Sequence, residues 1–168
     1  MANMIPISTV VVGSGGATSI DFVNIPQTYT DLCIKLSTRS SQTGAIADYG
    51  TVFFNGVSSS ISYKDLYGNG SSASSTGSTT ALFMTYQANA GTSSVFGNVE
   101  MYIPNYIGSN QKSFSIESIV ENNATTGYTT LTTGVWANTS PISSLKFSPA
   151  SGTWLQYSSA TLYGIRKY

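Results

Sequence analysis

Apolar and polar residues alternate with a period of two along much of this chain. Ile20 and Phe22 alternate with Ser19 and Asp21, and Leu32, Ile34 and Leu36 alternate with Cys33, Lys35 and Ser37. Val99, Met101 and Ile103 alternate with Glu100 and Tyr102. Phe114, Ile116 and Val120 share one face, opposite Ser115, Glu117 and Glu121, and Leu145 and Phe147 flank Lys146. Successive side chains of an extended strand point to opposite faces, so each stretch predicts a half-buried β-strand. Strands are expected at 8–12, 18–23, 31–39, 50–54, 60–66, 79–86, 96–103, 112–121, 127–136, 142–148 and 158–165. Turn residues separate them, among them the glycines of 13–16, Asn55-Gly56 and the segments 89–94, 105–110 and 122–126.

Good helix formers are scarce, while Ser, Thr, Val, Ile, Tyr, Phe and Gly dominate, a bias toward strands and turns. About ten strands with turn-rich connections predict an all-β fold, an antiparallel β-sandwich that is jelly-roll-like, with a closed barrel as the alternative. At 168 residues one domain is expected, with residues 1–7 as a short N-terminal arm and 8–168 as the sandwich. The segment 68–80 (GNGSSASSTGSTT) reads as a long low-complexity loop. No window approaches the ~18 apolar residues of a membrane span. The first residues have neither a basic segment nor a long apolar core, so no secretory signal is expected.

Composition narrows the chemistry. There are seven Lys and Arg, seven Asp and Glu, no histidine, and one cysteine, Cys33. Without histidine there is no Ser-His-Asp catalysis and no imidazole metal site. One cysteine excludes an intrachain disulfide and a thiolate zinc cluster. Zero net charge lacks the basic footprint of a nucleic-acid binder. Glu117 and Glu121 share a strand face but stand ~13 Å apart along it. That exceeds the ~5–9.5 Å of a glycosidase pair. No Asp-rich calcium loop is present. The expectation is therefore no enzyme, no cofactor and no metal. Cys33 reads as a small residue on a packed sheet face.

The charged fraction is 8%, against about 25% in ordinary soluble domains. In its place stand 28 Ser and 21 Thr. Few charges of either sign leave little repulsion between copies, which suits a protein held inside an assembly. Phe22, Phe53, Phe83, Phe114 and Phe147 are expected in the core. Tyr29, Tyr49, Tyr63, Tyr67, Tyr86, Tyr102, Tyr106, Tyr128 and Tyr157 fall opposite the apolar stripe or at strand ends. Tyrosine joins apolar area to a polar tip, so these suit the core margin, a subunit interface or a sugar platform.

Five strings resemble those of small virion proteins of tailed bacteriophages, especially cyanophages and other aquatic phages. They are SIDFVNIPQTYTDLCIKLSTRS (19–40), VFFNGVSSSISYKDLYGNG (52–70), VEMYIPNYIGSNQKSFSIES (99–118), ISSLKF (142–147) and ATLYGIRKY (160–168). They carry an Ile-Pro-x-x-Tyr-x-Asp-Leu stretch, a Phe-Asn-Gly turn, a Tyr-Ile-Pro-Asn-Tyr strand exit followed by a Lys, and a terminal Leu-Tyr-Gly-Ile. The resemblance implies a non-catalytic β-sandwich protein of the particle: head decoration (cement), fibre head or tail component. The compact chain favours a decoration protein on the head surface, made in the host cytoplasm. Its expected partners are the major capsid protein and two sister subunits of a homotrimer, with no nucleic acid and no membrane. A fibre head binding a host receptor or glycan is the alternative. Candidate interface residues are Met4, Ile5, Tyr102, Tyr106, Tyr128, Arg166, Lys167 and Tyr168. On this reading, deleting residues 1–7 abolishes particle binding and leaves the fold intact.

Overall fold

The alternating segments become strands that bury one face. A computed structural model describes residues 3–79, 82–121 and 127–166, with side chains left out at 82–84. The described residues contain twelve strands and no helix. They are β1 (Asn3–Val11), β2 (Ile20–Phe22), β3 (Asp31–Thr38), β4 (Ala47–Phe54), β5 (Ile61–Gly68), β6 (Ala73–Ser78), β7 (Leu82–Gln87), β8 (Gly97–Ile103), β9 (Lys112–Glu121), β10 (Gly127–Trp136), β11 (Leu145–Pro149) and β12 (Ser159–Arg166).

They form two antiparallel sheets packed as a sandwich, one of eight strands ordered β1-β12-β3-β8-β9-β10-β5-β6 and one of four ordered β2-β11-β4-β7. The pairings nest: β1 with β12, β2 with β11, β3 with β8, and β4 with β7. Within this nest β5–β6 and β9–β10 are hairpins that extend the large sheet beyond β8.

Leu32, Ile34 and Leu36 of β3, Val99, Met101 and Ile103 of β8, and Phe114 and Ile116 of β9 face Phe22, Val52, Phe54 and Phe147 of the small sheet. Phe54 stacks on Trp136 with centroids 5.3 Å apart and lies 5.6 Å from the Phe114 ring. Gly134 leaves room for that cluster, because a Cβ there would overlap the Phe114 ring. Burying large aromatics contributes most per residue to such a core.

Three expectations change. Residues 3–7 are not an arm: they are the first half of β1, paired from Asn3↔Arg166 to Pro6↔Tyr163. Deleting 1–7 would strip this edge of the sheet, so that truncation does not separate folding from binding. The loop expected at 68–80 contains β6, laid down on β5 from Tyr63↔Ser78 to Gly68↔Ala73. Phe53 is not a core residue but faces outward under the Lys146 ammonium, 3.8 Å from its ring centre, while Phe54 points inward. Phe83 has no described side chain.

Candidate functional site

The quoted strings converge on a set of internal ties. Asp31 is fully buried and accepts from the Tyr102 hydroxyl at 2.6 Å and the Asn105 amide at 2.9 Å. The Tyr106 hydroxyl donates to the Pro26 carbonyl. The Tyr29 ring lies over Gly164, where any Cβ would overlap it, and the Arg166 guanidinium sits 5.2 Å from the ring centre. Asn55 and Gly56 (φ 50° and 81°) make the tight turn between Phe54 and Val57. The Asn55 side chain then donates to Pro141 O and accepts from the amides of Ser143 and Ser144. Lys112 is buried, and its ammonium donates to the carbonyls of Gly108, Asn110 and Thr139 at 2.6, 2.5 and 3.4 Å. These residues hold the sandwich together from inside.

The candidate interface residues therefore separate. Tyr106 is wholly buried in that network, and Tyr63 and Tyr86 are buried as well, contrary to a place off the core. Tyr102 is half-buried on the outer face of the large sheet. Burial, and then the bond to Asp31, pushes its phenol up to about 12. Met4, Ile5 and Arg166 lie together at the β1–β12 edge, where Met4 pairs with Ile165 and Ile5 with Gly164. Tyr128 is at the far end of the sheet, stacked on Tyr67 with centroids 5.9 Å apart. Lys167 and Tyr168 lie outside the described residues.

The broadest surface is the outer face of the eight-stranded sheet. One cross-strand row runs Thr9, Thr161, Lys35, Glu100, Glu117, Leu131, Leu66 and Ser75. The next runs Ser159, Ser37, Asn98, Ile119 and Thr129. Lys35 and Glu100 form an ion pair at 2.9 Å in mid-sheet. Around it the exposed Lys64, Glu117 and Glu121 stand on the same face among hydroxyls and large apolar side chains. Leu66 is 60% exposed, Ile119 49%, Leu131 40% and Val135 37%. Leu66 stands directly opposite Leu131, and Ile119 lies on the diagonal from Leu131. Sequence reading missed this patch: its members sit on three strands, and only the register brings them together. Shallow depressions flank it, one lined by Asn98, Glu117, Ile119 and Leu131, another by Lys64, Leu66, Ser75 and Thr133.

A second concavity of about 170 Å³ opens between the sheets, lined by Asp48, Tyr49, Tyr67, Thr85 and Tyr128. It is smaller than the ~300 Å³ usual for a ligand pocket.

Two buried groups on this sheet give measurable consequences. Cys33 is buried, with Tyr102 and Tyr163 as its register partners. Burial pushes its thiol up to about 12, so little thiolate forms near neutrality. The native protein is expected to resist a disulfide reagent at pH 8 and to react fully once unfolded; rapid reaction of the native form would contradict this placement.

Asp65 is buried on the inward face of β5 and accepts from the Thr132 hydroxyl. Burial raises its pKa, and the Thr132 bond only partly opposes the rise. A carboxyl with a raised folded-state pKa binds its proton more tightly in the folded state. Its stabilising share is therefore present below the unfolded value of ~3.9 and lost as pH rises through the folded value. Asp65→Asn is expected to raise the Tm at pH 7, with the gain vanishing at pH 3. A lower Tm at pH 7 would refute it.

The chain matches no family model, no curated protein and no solved structure. Among the described residues no three His, Cys, Asp or Glu side chains gather into a metal-sized group. The fold defines an all-β protein whose large sheet presents a broad outer face with an exposed apolar patch.

Proposed function

We propose that this chain is a structural protein of a tailed-phage particle, a decoration protein that lies on the outer surface of the head and stabilises the shell. The observation that carries the reading is the outer face of the large sheet. Leu66, Ile119 and Leu131 form an exposed apolar patch on it, and such patches suit protein–protein docking. The resemblance of the five strings supports a virion protein, and the compact chain favours the major capsid protein as its partner over a fibre shaft. The residues in those strings are the internal ties described above, which fits a likeness in framework. The nested strand order supports a jelly-roll-like winding, because rolling one long hairpin leaves β1 on β12, β2 on β11, β3 on β8 and β4 on β7. Three copies cluster as a homotrimer on this reading, and binding to the folded state stabilises both partners by mass action.

A fibre head that binds a host glycan is the second reading. It is favoured by the cleft where the stacked Tyr67 and Tyr128 meet Tyr49 and the Asp48 carboxylate. Quantitative mass spectrometry of purified particles separates the two. Hundreds of copies per particle are expected for decoration; a few dozen or fewer would replace it with the fibre reading.

A further inference from the structure

We propose that the loops 13–16, 89–96 and 153–157 form a binding site for a neutral saccharide, with the Tyr157 ring as the platform against which a pyranose stacks. The inference stands on this concavity and on neither reading of the particle role.

The register brings the three loops together. Val11 pairs with Ser159, Ser159 with Ser37, and Thr38 with Gly97. The loop that leaves β1 and those that enter β8 and β12 therefore gather at one end of the large sheet. Between them opens a concavity of about 480 Å³, within the ~300–1,000 Å³ of ligand pockets. Each wall is fixed. The first loop turns back through Gly16 N to Gly13 O at 3.0 Å and lies against the Trp154 carbonyl, which any Cβ on Gly16 would overlap. The second is held by the Arg39 guanidinium on the carbonyls of Asn89, Gly91, Thr92 and Val95. The third is pinned where Tyr157 N donates to Val12 O at 3.0 Å and Ser158 N to Leu155 O at 3.1 Å. Fixed walls keep the ordering cost of binding low.

Tyr157 sets the third loop apart. Its φ is 72°, a left-handed conformation that is rare for a bulky side chain and that glycine or asparagine adopts readily. Yet Tyr157 is 69% exposed, so burial offsets little of that strain. Strain of this kind gathers at ligand sites, and here it holds an aromatic ring at the mouth of a concavity.

The lining selects the ligand. A pyranose presents an apolar face of C–H groups and a rim of hydroxyls. Its C–H face suits the negative face of an aromatic ring, and Tyr157 and Phe96 both line this concavity. Ser14, Thr153 and Gln156 add two hydroxyls and an amide, groups that both donate and accept, as sugar hydroxyls require. Arg39 also reaches the wall, but four carbonyls already surround its guanidinium, so it does not call for an anion. No carboxylate stands among the described lining residues to balance a cation. The concavity shares no lining residue with the cleft of Tyr67 and Tyr128.

Chemical-shift titration of the native protein with the methyl glycosides of glucose, galactose, mannose and N-acetylglucosamine tests it. At least one should bind with a Kd in the millimolar range, and the shifts should centre on the amides of 14–16, 93–96 and 153–157. Tyr157→Ala should weaken that binding at least tenfold. Tyr157→Asn should weaken it as much and melt no lower than the native chain, because asparagine tolerates this φ. Tyr128→Ala, in the other cleft, should bind like the native chain. No binding of any of the four up to about 50 mM would overturn the proposal. So would Tyr157 variants that bind like the native chain, or a Tyr157→Asn that melts several degrees lower, which would make the ring a structural part. Loss of binding in Tyr128→Ala alone would move the saccharide to the other cleft and overturn it as well. The copy number per particle, which decides between decoration and fibre, is independent of all these outcomes.

Discussion

Under the proposed decoration role, substituting Leu66→Glu together with Leu131→Lys should abolish binding to the particle while shifting the Tm by no more than about 2 °C. The two positions face each other across β5 and β10 at the centre of the exposed apolar patch. An apolar contact at the centre of an interface contributes ~2 kcal/mol or more, about a thirtyfold change in affinity. Placing charges there adds their desolvation to that loss. The fold is protected by design. Lysine at 131 faces Glu117 on β9 and the new glutamate on β5, so opposite charges sit across both ladders. Exposed substitutions of this kind usually change stability by about 0.5 kcal/mol or less. Binding would be read by cosedimentation with particles stripped of the native protein, and stability by thermal melting. Undiminished binding would remove this face from the interface.

The largest effect on stability is expected at Arg39. Arg39 is 4% exposed, and its guanidinium reaches into the loop after β7. Nη1 donates to the carbonyls of Thr92 and Val95 at 2.5 and 2.9 Å, and Nη2 to those of Asn89 and Gly91, both at 3.0 Å. Nε donates to Asn89 Oδ1 at 3.3 Å. One planar fork thus gathers four carbonyls of a loop built mostly of small residues. Arg39→Met keeps the packing of the stem and leaves four carbonyls without this donor. Each such group costs ~1–3 kcal/mol while buried. The loop lies at the surface and can turn some of them to water, so a total of ~3–5 kcal/mol is expected. For a chain of this size that is a Tm lower by about 10 °C. Arg39→Lys should recover little, because the three donors of an ammonium sit on one nitrogen and cannot span the four carbonyls and the Asn89 side chain that the planar fork reaches. Hydrogen exchange should show the loss centred on residues 89–95. A Tm within about 2 °C of native would show that the loop does not depend on this side chain.

Much of this fold is legible in the chain where one sheet face is buried. In β3, β8 and β9 the alternation of apolar and polar residues reports the inward face directly, and the side chains point as the pattern requires. The pattern fails where that rule has nothing to act on. β6 has no apolar residue beyond an alanine, and only its ladder to β5 makes it a strand. Val52, Phe53 and Phe54 are consecutive apolar residues, so nothing local tells which of the two rings turns inward. Tyr106 reads as amphipathic, but its hydroxyl finds the Pro26 carbonyl and the whole ring can be buried. The candidate docking face was partly visible as an excess of hydroxyls. Its apolar centre was not, because Leu66 and Leu131 are far apart in the chain and meet only through the β5–β10 register.

The role of that face is open to direct observation in the particle. A cryo-electron microscopy reconstruction of the head should show the outer face of the large sheet, with Leu66, Ile119 and Leu131, buried against a neighbouring protein. The same chain found with this face open to solvent, or found nowhere on the head, would contradict the account.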